Sequence, residues 1–194
     1  THHRVKNNLQ MISSLLNLQS KYVKDDNVLE VLQNGRNRVQ SMAILHKNLY
    51  VGEDLNMVNI QHYFEGLVDS ILNSYNKTEN DIDLRIDAEK VTMDVESVIP
   101  LGLIVNELVT NSLKHAFPKD IKTKPEITLK MSEREDFYTL KVADNGVGIQ
   151  NDIIENGNKE SFGQRLIKSL SKKLKASISI TNDNGTSVSF ELPK

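Results

Sequence analysis

His3 lies in the run His-His-Arg-Val-Lys-Asn-Asn-Leu-Gln (2–10), on a helix face shared with Asn7, Gln10, Ser14, Asn17 and Lys21. A histidine on such a face is either plain solvated surface or a nucleophile that two domains can reach in turn. His2 leans toward Val5 and Leu9, where boundary packing explains it. Arg4 and Lys6 are ordinary surface charges or lower the cost of bringing phosphates near. About a hundred residues on, Asn-Glu-Leu-Val-Thr-Asn-Ser-Leu-Lys-His (106–115) places Glu107, Asn111, Lys114 and His115 at i, i+4, i+7 and i+8 of a mostly apolar helix. Four polar groups on a buried helix need partners. An internal hydrogen-bond network would supply them. So would a nucleotide's phosphates with a metal ion, because an amide oxygen and a carboxylate suit Mg²⁺.

A third segment, Asp144-Asn145-Gly146-Val147-Gly148-Ile149, follows a strand pattern. Read plainly it is a turn. Read chemically, Gly146 and Gly148 let backbone approach a ligand, and Asp144 at the strand end accepts from an exocyclic amine. Gly163 opens a helix whose N-terminus can receive phosphate oxygens. Thr186 begins the last strand beside Gly185, which a hairpin turn already explains.

The elements that must position these groups fall into two sets. Residues 1–24 carry two adjacent apolar stripes: Val5, Leu9, Ile12, Leu16 and Val23, then Met11, Leu15, Leu18 and Tyr22. Asp25-Asp26-Asn27 reads as a turn, and a second apolar helix runs to about Tyr50. Two helices with faces this wide cannot satisfy each other, so the pattern predicts a hairpin that dimerises into a four-helix bundle. After Gly52-Glu53-Asp54 the pattern mixes helix and strand. It predicts a helix over 60–75, a strand at Ile82–Ile86 and another near Val91–Met93. A long helix follows over 97–116, then a hairpin of 126–132 with 137–143. A helix around 166–174 and a hairpin of 177–182 with 186–192 complete it. Residues 150–162 read as a mobile loop. Three helices and a mostly antiparallel sheet make an α/β two-layer sandwich.

Composition sets the outer limits. The 194 residues suit a small plus a medium domain. A net charge of −2 gives no nucleic-acid footprint. With no cysteine, disulfides, thiolate metal sites and a cysteine nucleophile are excluded. The longest apolar run, 98–105, is too short for a bilayer span. A reducing cytoplasm is the expected compartment. A chain that starts without Met and inside a motif is expected to be cut from a longer protein bearing an upstream sensor.

Taken together, the first segment and the following Met-Ile-Ser-Ser-Leu-Leu-Asn-Leu-Gln resemble the dimerisation and phosphoacceptor helix of sensor histidine kinases, in the branch related to the HWE kinases. Residues 100–118 are similar to that family's N box, 144–149 and 161–167 to its two glycine boxes, and 185–193 to its closing strand. There are departures: Arg4 follows His3, the chain has no Trp, Ser161-Phe162-Gly163-Gln164 replaces a Leu-Gly-Leu pattern, and Lys175-Ala176 stands where relatives have Gly-Gly. The resemblance implies an all-α helical hairpin (1–51) that forms a homodimer, followed by a sandwich of Bergerat (GHKL) type (55–194) binding ATP and Mg²⁺. It implies His3 as phosphoacceptor, Asn111 as Mg²⁺ ligand and Glu107 where related ATPases keep a water-activating carboxylate. Lys114 and His115 would approach phosphates, Asp144 would hold the adenine amine, Gly146, Gly148 and Gly163 would frame pocket and lid, and Thr186 would lie near the base. The implied activity is autophosphorylation on His3, then transfer to an aspartate on a response regulator receiver domain. Two rivals remain: an ATPase of the same fold, and a dimeric scaffold that binds nucleotide without chemistry.

Overall fold

The computed structural model describes residues 2–48, 57–78, 80–88, 90–118, 120–149, 161–182 and 184–194, without the side chains of 2–6, 26, 27, 30 and 45–48. The expected loop at 150–162 therefore lies almost wholly outside the described residues.

Two long helices, α1 (His2–Ser20) and α2 (Asp26–Asn48), form the hairpin. Their apolar stripes part company. Leu9 and Leu16 of the first stripe are half-buried, and Leu16 meets α2 at Gly35. The second stripe stays in the open: Met11 is 62 % exposed, Leu15 52 %, Leu18 50 % and Tyr22 83 %.

Next come β1 (Met57–Asn59), α3 (Ile60–Ser74), β2 (Asp83–Asp87) and β3 (Thr92–Asp94). The Asn59 side chain caps α3 by accepting from the His62 amide. Helix α3 buries Ile60, Tyr63, Phe64, Leu67, Val68, Ile71 and Leu72, a clean helical spacing. Asp94 caps α4 (Val95–Asn111) through the Ser97 amide. The predicted single helix over 97–116 is thus α4 followed by a π-helical turn, Ser112–Ala116. The wider turn shifts Lys114 and His115 off the assumed register, and Asn111, still in α-helical register with Glu107, emerges at the helix end, so the four do not share one buried face. Glu107 is buried, Lys114 half-buried, and Asn111 and His115 exposed.

Strands β4 (Glu126–Glu133), β5 (Phe137–Asp144), β6 (Ser177–Thr181) and β7 (Ser187–Pro193) join β2 in a sheet of order β2-β4-β5-β7-β6. Only β2–β4 is parallel; the other pairs are antiparallel. A separate antiparallel pair, β1–β3, was not anticipated as a sheet. Alternation puts Ile127, Leu129, Met131, Leu140, Val142, Val188, Phe190 and Leu192 on one face. There they share a core with α3, α4 and α5 (Phe162–Lys173). The result is the expected two-layer sandwich. Among the described residues no helix is long and apolar enough to cross a membrane.

Candidate functional site

The end of β5, the π-helical turn and the start of β7 meet at Asp144. One of its carboxylate oxygens accepts from the Ser112 hydroxyl at 2.8 Å. The other accepts from the Gly146 and Thr186 amides at 3.0 and 3.1 Å. The Asp144 amide in turn donates to the Thr186 carbonyl. Three donors hold the carboxylate as an acceptor; Oδ1 is filled by its two amides, and Oδ2 keeps a lone pair for a further donor. Thr186 therefore comes onto Asp144 from over forty residues away. Ser112 was missed by the sequence reading. It stands next to Asn111, and its short side chain gave no signal apart from the motif around it.

Packing alone requires a glycine at 146. A Cβ there would run into the Ala116 carbonyl, and the next amide, of Val147, donates to that same oxygen. The glycine thus fastens the loop after β5 to the end of the π-helical turn. Asn145 is also structural: its side chain accepts from the Glu126 amide at 2.7 Å and donates to the Lys124 carbonyl. On the other side of Gly148, Ile149 exchanges two hydrogen bonds with the Asn182 side chain.

Helix α5 brings Gly163 to the same helix end. Ser161 and Gln164 form a reciprocal capping box, which fixes the first turn of α5. A Cβ on Gly163 would lie 2.7 Å from Oε2 of Glu107, so the small residue lets the N-terminus of α5 approach the carboxylate.

Glu107 itself is claimed by the hairpin. Arg38 of α2 donates from Nε to Oε1 at 2.7 Å and from Nη2 to Oε2 at 3.0 Å. The Glu107 side chain is 7 % exposed, and the pair is a bidentate fork. The guanidinium also lies 4.6 Å from the ring centre of Phe162, the first residue of α5. Lys114 donates to Oδ1 of Asn34, again on α2, at 2.9 Å. Ser41 of α2 donates to Oδ1 of Asn106 at 3.3 Å. Sequence reasoning missed this polar stripe of α2, because at helical spacing it reads as solvated surface.

Asn111 is exposed, and its amide makes no hydrogen bond with the described residues. That free amide oxygen fits Mg²⁺, which takes one or two protein oxygens and completes its shell from phosphates and water. Among the described residues no cluster of three or more acidic or histidine groups could hold a metal alone. Asp144, Gly146 and Thr186 thus cluster at Ser112, and Gly163 and Phe162 at Glu107 and its Arg38 partner, five residues earlier on the same helical segment. The side chain of His3 lies outside the description; its backbone sits in the first turn of α1.

The comparisons with known proteins agree with this arrangement. Residues 1–75 match the family "Histidine kinase", and residues 96–194 match "Histidine kinase-, DNA gyrase B-, and HSP90-like ATPase". The chain is 27 % identical over 196 residues to the sensor histidine kinase PdtaS of Mycobacterium tuberculosis, covering 99 % of this chain and 38 % of that protein. It is 26 % identical over 194 residues to blue-light-activated histidine kinase 2 of Erythrobacter litoralis, covering 98 % of this chain and 55 % of that one. The chain thus spans well under two thirds of these relatives. The solved histidine kinase domain of the Erythrobacter litoralis EL346 blue-light activated kinase superposes with a TM-score of 0.71 at 22 % identity, over 96 % of this chain and 94 % of that one. The chain belongs to the histidine kinase-, DNA gyrase B- and HSP90-like ATPase family, and carries ahead of that ATP-binding module the helical module of the histidine kinases.

Proposed function

We propose that the chain is the core of a sensor histidine kinase that phosphorylates itself on His3 and passes the group to an aspartate of a response regulator receiver domain. The observation that carries this reading is the union, on one chain, of a histidine-bearing hairpin with an ATP-binding fold whose Asp144 and Asn111 keep unused acceptor capacity. The hairpin unit is taken as 1–51 and the ATP-binding unit as 55–194.

In this reading Asp144 accepts from the adenine amine, held in place by Ser112, Gly146 and Thr186. Asn111 holds Mg²⁺ with its amide oxygen, and the ion neutralises phosphate charge when bound. Lys114 and His115 face the phosphates from the π-helical turn. Gly148 and Gly163 border the pocket on its lid side. The unprotonated ring nitrogen of His3 attacks the γ-phosphorus in line. The bond to the bridging oxygen breaks, ADP leaves with that electron pair, and the phosphorylated ring sheds its remaining proton. The hairpin pairs with a second copy through Met11, Leu15, Leu18 and Tyr22, apolar residues that the single chain leaves exposed. A sensor preceding Thr1 and a cytoplasmic location complete the proposal.

The ATPase rival needs Glu107 to activate water. Here both of its oxygens accept from one guanidinium, which disfavours that role. Incubation with γ-labelled ATP separates the readings. A kinase retains acid-labile label that His3→Gln removes, an ATPase releases phosphate without retaining label, and a scaffold does neither.

A further inference from the structure

The two edges of the five-stranded sheet are finished differently. On one edge, β2 alternates Asp83, Arg85 and Asp87. Arg85 pairs with Asp83 at 3.3 Å and with Glu126 of β4 at 3.2 Å, and Asp87 pairs with Lys130 at 3.1 Å. Charges of this kind guard an edge strand against pairing with a further chain. On the other edge, β6 reads Ser-Ile-Ser-Ile-Thr (177–181), with no charge and no proline. Its register against β7 runs unbroken from Ser177 opposite Glu191 to Thr181 opposite Ser187, so no bulge twists it away. All five of its residues are exposed. Among the described residues β6 has β7 as its one sheet neighbour, which leaves every second N–H and C=O pointing outward.

The apolar residues of β6 lie on the side that is core elsewhere in the sheet. Ile178 stands opposite Phe190 and Ile180 opposite Val188, both buried. Yet Ile178 is 38 % exposed and Ile180 59 %. Strand β6 thus carries apolar surface past the edge of the helix layer.

Charge decides what can cover that surface. From Ser161 to Asn182 the chain has five cations, Arg165, Lys168, Lys172, Lys173 and Lys175, and no acid, although the whole chain has a net charge of −2. All five are exposed. Three of them fall within residues 172–175, which lead from α5 straight into β6. A second copy of this chain fits poorly, because pairing β6 with β6 brings two such rows of cations together. A nucleic acid strand finds no aromatic ring to stack on between Gly163 and Asn182. An anionic bilayer would meet the cations but offers no ladder to the outward N–H and C=O groups. An extended acidic peptide does both. Its backbone completes the ladder, its β-branched side chains cover Ile178 and Ile180, and its carboxylates meet the lysines.

We propose that the open edge of β6, with the cations that end α5, docks an acidic, extended segment of a partner protein, which joins the sheet as a sixth strand. The inference rests on this surface alone and does not use the kinase reading. Neither β6 nor these cations belong to the residues assigned above to phosphoacceptor, nucleotide or metal.

The probe is a synthetic peptide of about ten residues that alternates Glu with Val and Ile, long enough to span β6. Titrated into the full chain with labelled isoleucine methyl groups, it should shift the signals of Ile178 and Ile180 and slow amide exchange over 177–181. Two further peptides test the chemistry: one with Lys in place of Glu, and one with the acidic sequence but methylated backbone amides. Both should bind at least about ten-fold more weakly. Ile180→Lys sets a guard charge on the strand, and Lys172→Gln with Lys175→Gln removes cations without touching it. Each variant should weaken the acidic peptide by about ten-fold while the unfolding transition stays in place. Equal binding of the acidic and the lysine peptide, or of the methylated one, overturns strand addition. So does the absence of shifts at Ile178 and Ile180 with millimolar acidic peptide. Binding to phosphatidylserine vesicles that the acidic peptide fails to displace assigns the surface to a membrane and ends the proposal. A doubled mass in light scattering that Ile180→Lys removes assigns the edge to a second copy, with the same result.

Discussion

The two halves of this chain solve the problem of burial in opposite ways. The ATP-binding half encloses its own core: Tyr63, Phe64, Leu67, Leu101, Ile104, Leu129 and Leu140 are almost wholly out of water. The hairpin encloses little, and eight of its large apolar residues remain exposed among those described. The difference follows from geometry. A sheet with three helices on one face closes a core by itself, while a pair of helices leaves a stripe on each that only further helices can cover. One half is therefore built to hold a fixed site, and the other to be completed by partners. Chemistry divides along the same line, with the proposed acceptor on the half that partners must reach and the nucleotide on the half that keeps its shape.

The largest effect expected tests that division directly. His3→Gln should abolish acid-labile labelling while leaving the affinity of a fluorescent ATP analogue unchanged. Loss of labelling in His2→Gln instead would reassign the acceptor. Next in size, Asn111→Asp adds a charge beside the phosphates without changing shape, and labelling should drop by orders of magnitude in a fixed-time assay. Thr110→Ser, one residue away, should be nearly silent.

A pair of core and surface substitutions sharpens the comparison itself. Leu101→Ala should cost about 2–5 kcal/mol of stability, read from denaturant unfolding, and leave the mass in light scattering unaltered. Leu15→Glu should do the reverse: the mass falls toward the monomer, because an unpaired charge cannot be buried in a bundle seam, while the unfolding of the ATP-binding half stays put. A wild-type monomer at micromolar concentration would break the comparison.

Smaller effects are expected within the site and at a helix end. Ser112→Ala removes one of the three donors to Asp144. ATP should bind about five-fold more weakly, the equivalent of ~1 kcal/mol, with the wild-type preference for ATP over GTP partly retained. Asp144→Asn should narrow that preference further. Asp94→Ala should cost about 1 kcal/mol through loss of the α4 cap. Burial would raise the Asp94 carboxyl, but hydrogen bonds from the Ser97 hydroxyl and amide and the Glu96 amide outweigh it and hold it below its ordinary value. A lowered carboxyl stabilises the fold above the unfolded-state value and stops doing so as pH falls through the folded one. The difference between wild type and Asp94→Ala should therefore be full at neutral pH and be lost in acid, as pH falls below the ordinary carboxylate range and through the lowered value of the folded state.

Much of this molecule was written in local pattern. Alternation gave β4, β5 and β7 almost to the residue, because a half-buried strand must place every second side chain inward. The α3 spacing and the pairing of 126–132 with 137–143 were equally plain. The two motifs that drew attention, 106–115 and 144–149, do meet in space. Local pattern could not supply the π-helical turn at Ser112–Ala116, whose last carbonyl takes the Val147 amide and leaves no room for a side chain at Gly146. Nor could it tell which apolar stripe of α1 faces α2. The partners of Glu107 and Lys114 were hidden for the same reason. A polar stripe on a helix has one appearance in sequence whether water or another domain faces it, and only the packing of α2 onto α4 turned Asn34, Arg38 and Ser41 from surface into a seat.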